Sequence, residues 1–406
     1  MRKNGRHTLV IDGNYFLFRT LYVLPRRSKS KSLLETNEEV QSFMSKLATD
    51  FSYQVRLFEG LIDKIVWTVD SRSWRKDFYP EADYKGNRKQ DSTINWENFS
   101  KVSEDFIGIL IRKGVITSKV DGAEGDDLMY AWNTESLAND KSVIMFTGDR
   151  DIVQLVNKSP NGSHTILFSP AHKKLYTYQG FSEWMNSDDE VESTDIFDMM
   201  KVSVSPENQS KKLLQNLVKK KKVAIIEVDP EEFRFAKVLT GDSGDNVPPA
   251  YWYVLKGRRY GISDKKAAEI ISEFKQKHGG LSHMYLYNTE LVTDLANIII
   301  RVMKAKHMSR EQIISNIRSN VNLMVLSAES IPEGILDEMF KFVESKMNLN
   351  TVDLKGISSM KSLLEGTSYK AEEGGISLSS KIFKDDEDDS TDFSFIKDRK
   401  SQNKIF

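Results

Sequence analysis

Thr8-Leu9-Val10-Ile11-Asp12 is a short apolar run that ends in an aspartate, and it is the first of three such runs. The others are Lys64-Ile65-Val66-Trp67-Thr68-Val69-Asp70 and Ser142-Val143-Ile144-Met145-Phe146-Thr147-Gly148-Asp149. Apolar runs of this length are typical of buried strands. Because the carboxyl ends of parallel strands meet at one edge of a sheet, the pattern predicts a group of acids gathered at that edge.

Two further acidic clusters lie outside these runs. Glu124-Gly125-Asp126-Asp127 opens a predicted helix over 123–137, and Gly241-Asp242-Ser243-Gly244-Asp245-Asn246-Val247-Pro248 carries two carboxylates in a Gly-rich stretch. Taken singly, the first fits an ordinary helix start, where acids meet the helix dipole, and the second fits any polar loop. The number of clusters favours a set of oxygen ligands of the kind that Mg²⁺ prefers.

The segments between the runs predict helices. Gly13-Asn14 predicts a turn after the first strand, Thr36 and Glu39 form a capping box for a long helix, and Asn95 predicts the start of another. Strand, helix and strand in series form the unit of a parallel sheet. We therefore expect an α/β fold with a twisted, mostly parallel sheet flanked by helices.

The composition excludes several classes of site. The 406 residues contain no cysteine, which excludes disulfides, thiolate zinc sites and cysteine nucleophiles, and the six histidines are scattered. The N-terminus leads into a strand-like run instead of a signal sequence, and no apolar stretch reaches transmembrane length. We expect a soluble, intracellular protein without membrane association.

The formal net charge of −1 hides a segregation of charge along the chain. Bases pool in Arg72–Lys89, Lys211–Lys222 and Lys256–Lys266, and this pattern around an acidic centre favours a polyanionic substrate. A solvated loop or a plain helical hairpin is the alternative interpretation of these stretches. The side chains that we expect to contact nucleic acid are Arg72, Arg75, Lys76, Tyr84, Lys85, Arg88, Lys256, Arg258, Arg259, Lys265 and Lys266.

Together these motifs resemble the 5′-nuclease (flap endonuclease) superfamily, and most closely the RNase H/5′-to-3′ exonuclease type of T-even-like bacteriophages. Val10-Ile11-Asp12-Gly13-Asn14 resembles the family's first strand, and Asp70 with the stretch 74–88 resembles its second acid and arch. Gly122–Asp127 resembles the family's Gly-x-Glu-Ala-Asp-Asp element. Thr147–Asp151 resembles its Asp-x-Asp element, and Gly241–Pro248 resembles the last acidic element.

The resemblance covers roughly residues 7–180 and 229–350 and implies a domain plan. An N-terminal α/β nuclease domain would span 1–180, with a helical arch at about 71–118, and 181–228 would be an inserted charged segment. The last catalytic loop, a helix-turn-helix and a helical subdomain would occupy 229–350, followed by a mostly disordered acidic tail over 351–406. Where the family's DNA-holding turn is Gly-Ile-Gly, this chain has Gly261-Ile262-Ser263 after a longer stretch over 249–260.

The resemblance also implies a site that binds two Mg²⁺ ions about 4 Å apart, with Mn²⁺ able to substitute, and K⁺ at the helix-turn-helix. The first ion would be surrounded by Asp12, Asp70, Glu124, Asp126 and Asp149. The second would be served by Asp151, Asp242 and Asp245, with Asp127 as a shared or supporting acid. Lys85 and Arg88 would contact the scissile or adjacent phosphate and stabilise transition-state charge.

The implied function is Mg²⁺-dependent hydrolysis in the 5′-to-3′ direction, giving 5′-phosphate products. The substrates would be RNA–DNA hybrids and double-stranded DNA with nicks or 5′ flaps, as in primer removal during phage DNA replication in the host cytoplasm, and the protein would be a monomer. A PIN-type ribonuclease and a non-catalytic, junction-binding replication module are the alternatives. The tail after about residue 366 is expected to be disordered or to tether a sliding clamp or single-strand-binding protein.

Overall fold

The computed structural model describes residues 7–24, 32–186, 206–221, 223–349, 352 and 354–369. These residues fall into two compact units. The first combines the segments up to Arg72, Asp91–Asp229 and from Glu333 onwards; the second combines Ser73–Gln90 with Pro230–Pro332. Residues 73–90 thus group with 230–332, and the residues from Glu333 group with the sheet. The domain limits expected from the sequence stay a prediction.

An eight-stranded sheet forms the centre of the first unit. Its strands are β1 (His7–Asp12), β2 (Ile62–Thr68), β3 (Ile116–Ser118), β4 (Val143–Phe146), β5 (Asn157–Lys158), β6 (His164–Ser169), β7 (Lys174–Tyr178) and β8 (Ala224–Val228). The order is β3-β2-β1-β4-β6-β7-β8, with β5 beside β6. The β5–β6 and β6–β7 pairs are antiparallel and the others are parallel, which confirms a mostly parallel α/β sheet.

Helices flank the sheet in the first unit and make up most of the second. In chain order the helices are α1 (Gly13–Tyr22), α2 (Asn37–Leu57), α3 (Trp74–Phe78), α4 (Trp96–Arg112), α5 (Gly125–Ala138), α6 (Phe181–Asn186), α7 (Pro206–Lys221), α8 (Pro230–Thr240), α9 (Asp264–His278), α10 (Thr289–Met303), α11 (Arg310–Met324), α12 (Glu333–Met347), α13 (Leu354–Ile357) and α14 (Met360–Leu364). Of these, α3 and α8–α11 belong to the second unit.

Two predicted helix starts are confirmed, and both helices contribute to the core of the first unit. Thr36 and Glu39 form the capping box of α2, and the Asn95 side chain accepts a hydrogen bond from the backbone N–H of Asn98 at the start of α4. The ring of Phe106 in α4 meets the ring of Trp67 in β2 edge-on at 5.6 Å. Although α4 lies in the stretch 71–118 where an arch was expected, its apolar face packs in this core.

The region predicted to be an inserted, charged segment contributes to the sheet. Strand β8 pairs in parallel with β7, from Lys174 opposite Ala224 to Tyr178 opposite Val228. The lysine-rich end of α7 directly precedes it, which is why the composition suggested a solvated segment although Val223–Val228 has the apolar character of an edge strand. Residues 187–205 and 222 lie outside the described part of the chain.

The second unit is a helical cluster with its own core. Apolar side chains of α8, α9, α10 and α11 form it, among them Phe235, Ile270, Leu295 and Ile317. Between α8 and α9 lie the acidic loop 241–248 and an antiparallel hairpin of β9 (Trp252–Leu255) and β10 (Arg258–Gly261). The expected helix-turn-helix is therefore not confirmed, because this hairpin separates the two helices.

No helix among the described residues combines the length and apolar character that crossing a membrane requires. The tail over 370–406, to which a clamp or single-strand-binding partner was assigned, lies outside the described residues.

Candidate active site

The first three acidic runs meet at one edge of the sheet. Strands β2, β1 and β4 are parallel neighbours, so their carboxyl ends lie side by side. Asp12 is the last residue of β1, whereas Asp70 and Asp149 follow β2 and β4 by two and three residues. This is the arrangement that the sequence pattern predicted.

Asp12 is buried at the junction between β1 and α1. One carboxylate oxygen accepts the backbone N–H of Tyr15 at 2.9 Å and the other accepts the Thr147 hydroxyl at 2.8 Å. Burial raises the pKa of Asp12 to about 7, and the negative charges of Asp70 and Asp149 act in the same direction. The three carboxylates therefore interact electrostatically.

The turn predicted at Gly13-Asn14 is wrong. Helix α1 begins at Gly13, and Asp12 is its N-cap.

Asp70 is held by two donors from different parts of the first unit. Its Oδ1 accepts the backbone N–H of Gly125 at 2.6 Å, and its Oδ2 accepts the side-chain amide of Asn14. A Cβ at position 125 would lie 2.8 Å from that Oδ1, so the close approach requires glycine. The N-terminus of α5 is thereby fixed next to the acid that follows β2.

We expect Gly125→Ala to push the Asp70 carboxylate out of place and to lower the expected cleavage activity at least about tenfold, since catalytic groups tolerate little displacement. The matched control is Gly334→Ala in α12, where an added Cβ meets nothing within 4 Å. That variant should keep full activity and gain up to about 1 kcal/mol of stability from helix propensity. Equal activity in the two variants, measured as cleavage rate, would contradict the role given to Gly125.

The remaining acids of the first unit lie beside this trio. Glu124 is buried as the N-cap of α5, and the buried Asp127 accepts the backbone N–H of Glu124 at 3.0 Å. Asp126, in the first turn of α5, is half-buried, whereas Asp149 is exposed and accepts the backbone N–H of Asp151 at 2.8 Å. All seven predicted acids of the first unit thus follow the carboxyl ends of strands or open the helix that contacts Asp70.

The donor chemistry of this cluster fits a hard divalent cation, because carboxylate oxygens are its preferred ligands. Burial, together with the nearby charges of Asp70 and Asp149, raises the pKa of Asp12. The carboxylates are, however, engaged with protein donors. Within the described residues, no three His, Asp or Glu side chains are grouped closely enough to hold one ion. Asn14 and the Gly125 N–H each donate one hydrogen bond to the Asp70 carboxylate, and Thr147 donates one to Asp12, so each of these oxygens keeps a second lone pair.

The other two predicted acids belong to the loop 241–248 of the second unit. Asp242 Oδ2 accepts the Lys237 ammonium at 2.6 Å, and its Oδ1 accepts the backbone N–H of Gly244 at 2.7 Å. Burial acts to raise the pKa of Asp242, but the Lys237 charge and these hydrogen bonds outweigh it, and the pKa is lowered. Two backbone hydrogen bonds between Asp242 and Val247 close the loop.

Asp245 binds the residues that were expected to contact phosphate. Its carboxylate pairs with the Arg88 guanidinium and accepts the Tyr84 hydroxyl at 3.2 Å. Its backbone carbonyl accepts the N–H of Lys85 at 2.9 Å, and Asn87 donates to the carbonyl of Ser243. The stretch 83–88 is therefore attached to the acidic loop of its own unit.

Two of the residues expected to contact nucleic acid have buried side chains. Arg75 is 2% exposed, donates to the carbonyl of Leu323 at 2.8 Å and lies over the Trp74 ring. Tyr84 is 7% exposed and packs beside Val247. The exposed members of the predicted set are Arg72, Lys76, Arg88, Lys256, Arg258, Arg259 and Lys265, whereas Lys85 and Lys266 are half-buried.

The sequence interpretation missed three supporting residues. Asn14 and Thr147 hold the carboxylates of Asp70 and Asp12, and Lys237 pairs with Asp242. Asn14 lies two residues after Asp12, and Thr147 lies two residues before Asp149. This proximity in sequence could have identified both as supporting residues. Lys237 lies five residues before Asp242, across the end of a helix, and nothing in the local pattern marks it.

Comparison with known proteins identifies relatives of this chain. Residues 7–186 match the family model of the 5′-3′ exonuclease N-terminal resolvase-like domain. A 5′-3′ exonuclease of Mycoplasmopsis pulmonis is 24% identical over 68% of this chain and 70% of its own length. The flap endonuclease Xni of a Shewanella species is 23% identical over 80% and 95%.

Among solved structures, the T5 5′-exonuclease with zinc bound aligns over 84% of this chain and 99% of its own, at 17% identity and a TM-score of 0.48. The family match over residues 7–186 includes the acids at the sheet edge, and both nuclease relatives align over at least two thirds of this chain. Residues 7–186 are therefore similar to the N-terminal domain of 5′-3′ exonucleases, and over most of its length the chain is similar to a 5′-3′ exonuclease and to a flap endonuclease.

Proposed function

We propose that the protein is a divalent-metal-dependent 5′-to-3′ exonuclease and flap endonuclease. The observation that carries the proposal is the convergence of Asp12, Asp70 and Asp149 at the carboxyl edge of the sheet, within the part of the chain that matches the exonuclease family. Its relatives include a 5′-3′ exonuclease and a flap endonuclease. DNA with 5′ flaps or nicks is accordingly the substrate class that we assign.

The residues of the first unit would hold the cation. Asp12, Asp70 and Asp149 supply the central oxygen ligands, with Glu124 and Asp126 beside them. A divalent ion bound there supplies a Lewis acid and a water of lowered pKa. Mg²⁺ suits an all-oxygen donor set, and Mn²⁺ is an alternative with similar ligand preferences. That Asp151, Asp242 and Asp245 serve a second ion, with Asp127 as a supporting acid, remains a prediction from the family resemblance, as does K⁺ binding.

The protein donors have a role of their own in this proposal. Asn14 and the Gly125 N–H fix the orientation of Asp70, and Thr147 with the Tyr15 N–H fixes that of Asp12. Oriented carboxylates bind a cation with less reorganisation than mobile ones, as supporting hydrogen bonds do in other metal sites. In the second unit, Arg88 and Lys85 supply positive charge for the substrate phosphates.

Finer features of substrate and setting extend this proposal. The motif resemblance favours RNA–DNA hybrids as additional substrates, and with them primer removal during phage replication. Cleavage is expected to leave 5′-phosphates. A monomer and a clamp or single-strand-binding partner at the tail belong to the same set of expectations.

The test is one cleavage assay with end-labelled 5′-flap, nicked and RNA–DNA hybrid substrates, run with Mg²⁺, with Mn²⁺ and with a chelator. Metal-dependent cleavage at the flap junction or from the 5′ end is expected. Cleavage of single-stranded RNA without preference for a duplex junction would favour a PIN-type ribonuclease. Junction binding without cleavage under any metal condition would favour a non-catalytic binding module and sink the proposal.

A further inference from the structure

The hairpin of β9 and β10 is an exposed element of the second unit. Each strand has four residues, and they are joined by Lys256 and Gly257, which both have positive φ angles of 49° and 73°. Two such residues form the type I′ turn that matches the twist of a tight hairpin. Every residue from Val254 to Tyr260 is exposed.

The base of the hairpin is anchored while its tip is not covered. The ring of Tyr253 stacks on His307 at 4.3 Å and on Tyr260 across the hairpin at 5.4 Å. The backbone N–H of Trp252 donates to the sulfur of Met308 at 3.4 Å. These contacts give the hairpin a fixed direction, so that its tip presents a defined surface to solvent.

That surface is strongly cationic. The chain has no acidic residue between Asp245 and Asp264, whereas Lys256, Arg258 and Arg259 crowd the tip. Because neighbouring residues of a strand face opposite sides, Arg258 and Arg259 project from opposite faces of the hairpin. The Arg259 guanidinium lies over the Trp252 ring, with 4.6 Å between its central carbon and the ring centroid.

Two apolar side chains accompany these cations. Val254 is 59% exposed and Leu255 is 50% exposed, and they too lie on opposite faces beside the turn. A tip with cations and apolar groups on both faces is suited to a polyanion whose inner surface is apolar. Duplex nucleic acid has this character, with phosphates along the groove walls and base edges, including the thymine methyl, on the groove floor.

We propose that this hairpin enters the major groove of duplex nucleic acid tip first, with Arg258 facing one phosphate wall and Arg259 the other. A β-layer with its side chains is about 10 Å thick. The major groove is about 12 Å wide and admits a two-stranded ribbon, whereas the minor groove, about 6 Å wide, does not. The proposal rests on the proposed function, which supplies a nucleic-acid substrate, and it adds a groove contact distinct from the hydrolytic site.

The test measures duplex binding without hydrolysis. Fluorescence anisotropy of a labelled blunt DNA duplex, in the absence of divalent ions and over a range of salt concentrations, gives the number of phosphate contacts from the salt slope. Arg258→Ala/Arg259→Ala should reduce that slope by about 2 and weaken binding roughly tenfold at moderate salt. Arg258→Lys/Arg259→Lys should restore the slope because it keeps both charges. Lys101→Ala/Lys341→Ala, which removes two exposed positive charges from the first unit, is the control for net charge.

Several outcomes would overturn the inference. These are an unchanged slope in the double alanine variant, equal losses in the alanine and lysine variants, or an equal loss in the Lys101 and Lys341 control. The groove is tested separately: bulky groups at C5 of the pyrimidines should weaken binding, and a minor-groove ligand should not compete. Competition by the minor-groove ligand would exclude the proposed docking. Failure of the nuclease proposal would give a different result from failure of the hairpin proposal. The wild-type protein would then keep the salt dependence of duplex binding that the hairpin predicts, but it would cleave no flap substrate with Mg²⁺.

Discussion

Replacing Asp70 by Asn should lower the rate of flap cleavage by at least about 100-fold, the scale on which a single transition-state-stabilising group acts. Asp70 lies between the Asn14 amide and the Gly125 N–H. An asparagine there keeps the shape but removes the charge and turns one acceptor into a donor. Asp149→Asn should have an effect of the same size, because Asp149 also interacts with Asp12. Cleavage rates under single-turnover conditions measure both effects.

Binding and folding distinguish loss of chemistry from loss of structure in these variants. Duplex affinity without divalent ions should be retained or slightly increased, because each variant removes negative charge. The lost hydrogen bond at Asp70 is offset by weaker repulsion of Asp12, so the free energy of unfolding should change by only about 1 kcal/mol. Asp121→Asn, which neutralises an exposed acid just before Glu124, is the matched control and should cleave normally. Full activity of the Asp70 or Asp149 variant would remove that residue from the site.

The sequence was sufficient to place Asp12, Asp70 and Asp149 at one edge of the sheet, because that placement depends on strand topology. An apolar run followed by an acid specifies both a strand and the end of that strand, and parallel pairing then brings Asp12, Asp70 and Asp149 together. Local patterns could not specify which donors engage the carboxylates. The Gly125 contact to Asp70, for example, joins residues 55 positions apart and depends on how α5 docks against the end of β2.

The same limit applies to the basic residues. Arg75 lies in a basic and aromatic stretch of the kind that contacts phosphate. Its guanidinium, however, donates to the carbonyl of Leu323 and stacks on the Trp74 ring. The hairpin after Pro249 was interpreted as part of a helix-turn-helix because its aromatic and basic residues have no clear strand alternation around Lys256-Gly257. Gly257 was the missed signal, since a glycine can adopt the positive φ that a two-residue hairpin turn requires.

A buried histidine pair should make the first unit sensitive to acid. His7 and His164 begin β1 and β6, and their Nε2 atoms are 3.2 Å apart. Burial lowers the pKa of His7 to about 4 and that of His164 to about 3, and for His164 the charges of His7 and Lys158 act in the same direction. Both imidazoles are therefore neutral in the folded protein at pH values where the unfolded chain would protonate them.

The sign of the effect follows from proton uptake. Below pH 6.5 the unfolded state binds more protons at these two positions than the folded state, so their contribution to stability falls as the pH decreases towards 4. The expected loss between pH 7.5 and 5 is on the order of 4 kcal/mol for the pair, from about 1.4 kcal/mol per pH unit for each histidine. Asp12, whose pKa is raised to about 7, acts with the opposite sign in the same window.

The histidine contribution is therefore isolated as a difference between two proteins. Urea unfolding of the wild type and of His7→Leu/His164→Phe, followed by fluorescence of the buried Trp67 and Trp132, gives both stabilities at each pH. The free energy of unfolding of the variant relative to the wild type should rise by about 4 kcal/mol on going from pH 7.5 to 5. Only the wild type has two imidazoles that take up protons on unfolding in this pH range. His172→Gln, a change at an exposed histidine, should follow the wild-type curve. A difference that stays constant with pH would show that the imidazoles are protonated, or accessible to water, in the folded protein.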